Sequence, residues 1–207
     1  MFAATTLWLF IGTSLILILI PGPDLIFTLT QGITNGKKAG VITAMGLSAG
    51  NTVHTLAAAL GLSLIIKTSV TAFTIFKSLG ALYLLYLAYK SIKHRKEALQ
   101  LDGAAEPDTK GLLLKGVLMN ILNPKVAVFF LTFLPQFVNY SAGSVPLQMI
   151  LFGLIFIGLT AVIFSAIGYF AGGFRKIFLR SPRSNEIMNI AAAVIFSALA
   201  VKLLTMH

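Results

Sequence analysis

The sequence predicts an all-α integral membrane protein with six transmembrane helices, arranged as two inverted three-helix repeats in which helices 1 and 4 are broken. Three observations carry this expectation. Hydrophobic residues make up 57% of the chain, above the roughly 45–50% of a soluble domain, and they come in bilayer-length blocks. The basic residues behind the net charge of +10 fall mainly in the short connections between blocks. Two blocks, the first and the fourth, are interrupted by proline at corresponding places.

Six segments reach the roughly 20 residues that a spanning helix needs: Thr5–Thr30, Ala39–Ile66, Val70–Ser91, Gly111–Val138, Pro146–Ala171 and Glu186–Leu204. Continuous apolar runs without strict alternation argue for helices rather than barrel strands. The first segment has no basic n-region and no small-residue cleavage site, so it reads as a retained span rather than a signal peptide. It is interrupted by Pro21-Gly22-Pro23-Asp24, where neither proline has an N–H to continue a helix. The second holds Gly46, Gly50 and His54 on one face, with Asn51 beside them, and Gly46-Leu-Ser-Ala-Gly50 is a small-residue pair of the helix-packing kind. The third carries Lys77, Gly80, Tyr83 and Tyr86; the lysine is expected to snorkel and the tyrosines to pack or anchor at the interface. The fourth is broken at Asn123-Pro124-Lys125.

The connections set the orientation. Lys37 and Lys38 lie in the first, Lys90, Lys93, His94, Arg95, Lys96, Lys110 and Lys115 in or beside the third, and Arg175, Lys176, Arg180 and Arg183 in the fifth. The second has little beyond Lys67, and Asn139 to Val145 has no basic residue. Odd connections are therefore expected in the cytoplasm, with both termini outside. The polar third connection divides a single membrane domain, 1–207, into a first repeat over 1–92, a linker over 93–110 and a second repeat over 111–207. Setting Pro23 against Pro124 places Asp24 opposite Lys125. Repeats with an odd number of spans must be inverted, and paired proline breaks in inverted halves point to a transporter's midplane site.

These features exclude several functions. Charge clustered at helix connections, with no aromatic-interleaved basic face, argues against nucleic acid. The absence of cysteine removes disulfides and thiolate metal sites. No HExxH, GxSxG or phosphate-binding glycine loop occurs, so an enzyme is not expected, nor is a cofactor. A channel or exporter for cations or metal ions is the alternative to be weighed, but one deep aspartate and one histidine make a poor metal cage.

Asp24 is the strongest candidate site residue, since an aspartate near the bilayer centre costs roughly 2.5–3.5 kcal/mol to insert. It is also a good N-cap for the helix that restarts there, and the two roles are compatible. Lys125, too deep to snorkel, reads either as a ligand for a substrate carboxylate or as a counter-charge for Asp24. Pro21, Gly22, Pro23, Asn123 and Pro124 act through the backbone: a break exposes N–H groups of positive and carbonyls of negative character. His54 reads equally as a packing histidine and as a proton-linked one, and Asn51 lies beside it. Gly46, Gly50 and Gly80 read as packing positions.

Taken together, Pro21-Gly22-Pro23-Asp24, Gly46-Leu-Ser-Ala-Gly50 with His54, Lys77-Ser-Leu-Gly80-Ala-Leu-Tyr83-Leu, and Asn120-Ile-Leu-Asn123-Pro124-Lys125 running to Phe133-Leu-Pro135-Gln136-Phe137 resemble the LysE/RhtB superfamily of amino-acid exporters. The resemblance implies export of an amino acid or a close derivative across a bacterial cytoplasmic membrane, driven by the proton gradient. Its expected partners are thus the substrate, a proton or other coupling ion, and the lipid bilayer; a homodimer is compatible with it. The expected site lies at the two breaks. Asp24 and the carbonyls of its break suit the substrate ammonium; Lys125 and the N–H groups after Asn123 suit the carboxylate.

Overall fold

The computed structural model describes residues 4–62, 70–93, 95, 109–180 and 182–205, and every element among them is helical. The first apolar block forms α1 (Ala4–Leu19) and α2 (Pro23–Thr34), bent by 59° at the break. Gly36 turns the chain with a φ of +84° into α3 (Gly36–Leu56), which a π-helical stretch extends over Ala57–Leu62. α4 covers Val70–Lys93. The second broken block is α5 (Thr109–Ile121) and α6 (Pro124–Val128), and the latter continues as π-helical Phe129–Phe133 and 3₁₀ Leu134–Phe137. Its bend is 49°. α7 (Val145–Arg180) and α8 (Pro182–Thr205) complete the described chain.

Val145–Ala171 is long and apolar enough to cross a bilayer by itself, and each bent pair is so when taken as one span. The apolar span ends at Ala171, as the sequence led us to expect, and the helix α7 continues beyond it to Arg180. Gly172 and Gly173 lie inside it, since glycine within a helix costs only about 1 kcal/mol and is tolerated. The 93–110 linker, apart from Lys93, Arg95, Thr109 and Lys110, lies outside the described residues, as do Lys67 and the side chains of Lys77, Arg175, Lys176, Arg180 and Arg183.

α3 is the central helix, packed most extensively on α7 and α5 and flanked by α2, while α4 packs chiefly on α8. Without a hydrophobic drive between helices in lipid, close packing has to come from small residues. A Cβ on Gly46 would strike the Leu113 carbonyl, and one on Gly50 would lie 2.8 Å from Asn120 Cβ and 2.9 Å from the Val117 carbonyl. α3 and α5 therefore run parallel in near-backbone contact. α3 and α7 run antiparallel, with a Cβ on Gly168 only 2.6 Å from the Gly40 carbonyl carbon. Gly80 of α4 faces the Thr132 side chain.

Lys37 stands over the Tyr169 ring at 4.5 Å and Lys115 over the Phe27 ring at 5.4 Å, which gathers the starts of α3 and α5 and the end of α7 at one basic end. At the opposite end phenylalanines fill the core. Phe10 lies 4.6 Å from Phe152 and 5.2 Å from Phe137, and Phe129 lies 5.1 Å from Phe156, all of them buried. The outward surface is apolar on several helices, with Trp8, Leu60, Leu82, Leu122, Val162 and Val194 among the most exposed side chains. That is the reverse of a water-soluble surface and suits lipid. The chain is a membrane protein.

Candidate functional site

The two breaks meet, and the reason is visible atom by atom. Pro21 has no N–H, so the Leu17 carbonyl four residues before it loses its helical donor. Lys125 supplies the replacement from the other broken segment. Its Nζ donates to the carbonyls of Leu17 and Ile20, each at 3.0 Å. The lysine is 5% exposed. A cation is ill placed at a helix start, where the dipole is positive, but well placed at the carbonyl end of α1, where it is negative. Gly22 leaves room for this: a Cβ there would meet Nζ at 3.3 Å.

The second break is satisfied differently. Pro124 frees the Asn120 carbonyl, which accepts from Asn123 N at 2.9 Å and from His54 Nε2 at 3.0 Å. A carbonyl only accepts, so Nε2 carries the hydrogen. Asn123 is the N-cap of α6: its Oδ1 accepts from Lys125 N at 3.0 Å, and its carbonyl accepts from Val126 N and Ala127 N, each at 3.1 Å. The N–H groups that the sequence suggested for a substrate carboxylate are thus held inside the break.

Asp24 is not the N-cap of α2. Gly22 is, with Pro23 opening the helix, so Asp24 lies in the first turn, where its charge still complements the dipole. Its Oδ2 accepts from Asn120 Nδ2 at 2.8 Å; its Oδ1 has no partner. No ion pair joins Asp24 to Lys125 among the described residues; the Arg95–Glu186 pair, at 3.4 Å, lies between the end of α4 and the start of α8.

Asp24, Asn51, Asn120 and Lys125 line one cavity with Leu17, Ile18, Val126, Phe156, Thr160 and Phe164. It has room for about one water, about 10 Å³. Asn51 is fully buried with neither amide atom bonded, and Asn120 Oδ1 is unbonded too. Each unpaired buried polar atom costs about 1–3 kcal/mol, so four of them round one cavity (with Asp24 Oδ1) form a surface suited to a polar ligand. The Leu, Ile, Val and Phe side chains on the same cavity suit an apolar one.

Of the residues singled out in the sequence, Asp24, Asn51 and Lys125 come together on this cavity. Pro21, Gly22, Pro23, Asn123 and Pro124 shape the breaks around it. His54 stands behind Asn120, stacked on Phe130 with centroids 5.8 Å apart, and does not line the cavity. Sequence reasoning missed Asn120, Thr160, Phe156 and Phe164. Asn120 had a signal, lying four residues before Pro124, where a proline frees the carbonyl. Thr160 had a weaker one, as the lone hydroxyl between Ile150 and Phe164.

The chain has relatives along nearly its whole length. A leucine efflux protein of Enterobacter sp. (strain 638) is 28% identical, over 100% of this chain and 98% of its own length. An uncharacterized membrane protein of Bacillus subtilis, YrhP, is 30% identical over 93% of this chain and 95% of its own. A leucine efflux protein of Klebsiella pneumoniae is 26% identical over 92% and 91% respectively. No solved structure matches. The LysE type translocator family matches residues 15–207, which takes in both helix breaks and every residue on the cavity, and the chain belongs to that family.

Proposed function

We propose that this protein is a secondary exporter of neutral apolar amino acids across the bacterial cytoplasmic membrane, coupled to protons. The observation that carries the reading is the set of four unpartnered polar atoms on Asp24, Asn51 and Asn120, buried at the meeting of two helix breaks. A zwitterion needs one partner for each end. Asp24 Oδ1 and the carbonyls of its break, Leu17 and Ile20, suit the ammonium; Asn51 Nδ2 and a released Lys125 suit the carboxylate. Leu17, Ile18, Val126, Phe156 and Phe164 suit an aliphatic side chain, and two relatives bear the name leucine efflux protein. Among the described residues no three His, Asp or Glu side chains converge, so the metal-ion alternative lacks a ligand set.

The six-span inverted repeat is part of the same reading. α1–α2 runs toward the basic end, while α5–α6 starts there and runs away from it. α3 and α7 are likewise antiparallel partners, as are α4 and α8. α3 packs on α7 and α4 on α8, the pairs an inverted repeat would make counterparts, which supports the reading, and rocking one half on the other would alternate access. Asp24, the one carboxylate on the cavity, is the group to exchange the proton. The test is counterflow in proteoliposomes: trapped unlabelled leucine should drive transient uptake of labelled leucine but not of labelled lysine. Lack of counterflow with every aliphatic amino acid would refute the reading.

A further inference from the structure

The carbonyls of Leu17 and Ile20 form an ammonium-binding cradle, and that cradle is already filled. Lys125 Nζ donates to both at 3.0 Å, within 3.3 Å of where a Cβ on Gly22 would lie. An amino acid's α-ammonium is the same chemical group as the end of a lysine, a compact cation with three donors and no acceptor. The cavity beside it admits only about one water, so the lysine and a substrate ammonium cannot occupy the cradle together.

We propose that Lys125 is a tethered stand-in for the substrate's ammonium. It fills the cradle while the carrier is empty, yields it when an amino acid binds, and then turns its charge to the substrate carboxylate. The idea rests on the export reading and extends it, because it assigns the carbonyl pair as a substrate subsite and gives Lys125 a second position. Among the described residues these two carbonyls are the only hydrogen-bond partners of the lysine's Nζ. It has no ion pair with Asp24, and it sits at the end of α6 that the helix dipole disfavours for a cation. In the loaded carrier both carbonyls bond the substrate; in the empty carrier both bond Lys125; without the lysine the empty carrier would bury two freed carbonyls. Lys125 is therefore required for the empty carrier to return, a step that net export includes and exchange omits.

The test uses the full chain in proteoliposomes at saturating leucine, comparing net efflux into amino-acid-free buffer with exchange against external leucine. Lys125→Met keeps the side chain's length without its charge. Exchange should weaken as the carboxylate loses its partner, and net efflux should weaken much further, so that the ratio of net efflux to exchange falls at least tenfold below wild type. An unchanged ratio, with both modes reduced together or neither, would overturn the proposal. If Lys125→Met does not insert, Lys125→Cys serves, because the chain has no cysteine of its own. Aminoethylation with 2-bromoethylamine should restore the ratio and carbamidomethylation with iodoacetamide should not; equal ratios after both treatments would also overturn it. Absence of leucine counterflow in wild type would instead strike the export reading itself.

Discussion

At the scale of single residues, the site is an exchange of partners between two proline breaks. The sequence made Asp24 and Lys125 legible because a charge deep in an apolar block has few excuses. It left their partners illegible, since a lysine over 100 residues away in the chain capping the Leu17 carbonyl follows from tertiary packing alone. Asp24→Asn should insert and fold, because an amide oxygen can still accept from Asn120 Nδ2. It should also lose a charge-assisted contact to the substrate, about 1.5–3 kcal/mol, or about ten- to a hundredfold in apparent affinity. Transport in everted vesicles should then show no proton-driven accumulation; accumulation equal to wild type would leave Asp24 a structural residue. Gly22→Ala probes the other partner. The added methyl presses on the flexible end of Lys125 rather than on backbone, so stability should change by only about 1 kcal/mol. Net export should fall several-fold, and an unaffected rate would show that Lys125 tolerates displacement.

At the scale of elements, proline and glycine placed both helix breaks, and hydropathy placed the fifth span, which ends at Ala171 as expected although its helix runs on. What the sequence did not announce is the π-helical winding at Ala57–Leu62 and Phe129–Phe133, which has no composition of its own. These two stretches pack on each other beside the cavity wall. The α3–α5 contact was announced by Gly46 and Gly50. Gly50→Ala would push a methyl against Asn120 Cβ and the Val117 carbonyl, and backbone cannot rotate out of the way. Such overpacking costs typically about 1–3 kcal/mol. The expected result is a lower melting temperature in detergent together with weaker substrate binding, because Asn120 also holds Asp24. A variant with wild-type melting and binding would mean that α5 shifts freely.

At the scale of the whole molecule, the positive-inside rule predicts that the end where Lys37, Lys115 and Tyr169 cluster faces the cytoplasm. A cysteine at Ala142, in the exposed turn before α7, should react with an impermeant maleimide in intact cells, and one at Lys38 should react only after permeabilisation. Labelling of position 38 from outside would invert the topology. The glycine contact between α3 and α7 has a mechanical consequence. A joint made of backbone has no rotamers to yield, so it can slide or pivot but cannot soften. From Gly168 back to Val145 the helix reaches about 35 Å, and on the way it meets α3 again at Gly153, where a Cβ would strike the Thr55 side chain. The phenylalanines at that far end are joined to one another by ring contacts rather than hydrogen bonds. Any rocking of α7 on α3 would therefore hold at the basic end, where backbone meets backbone, and yield at the aromatic end, where a side chain with a rotamer to give meets Gly153.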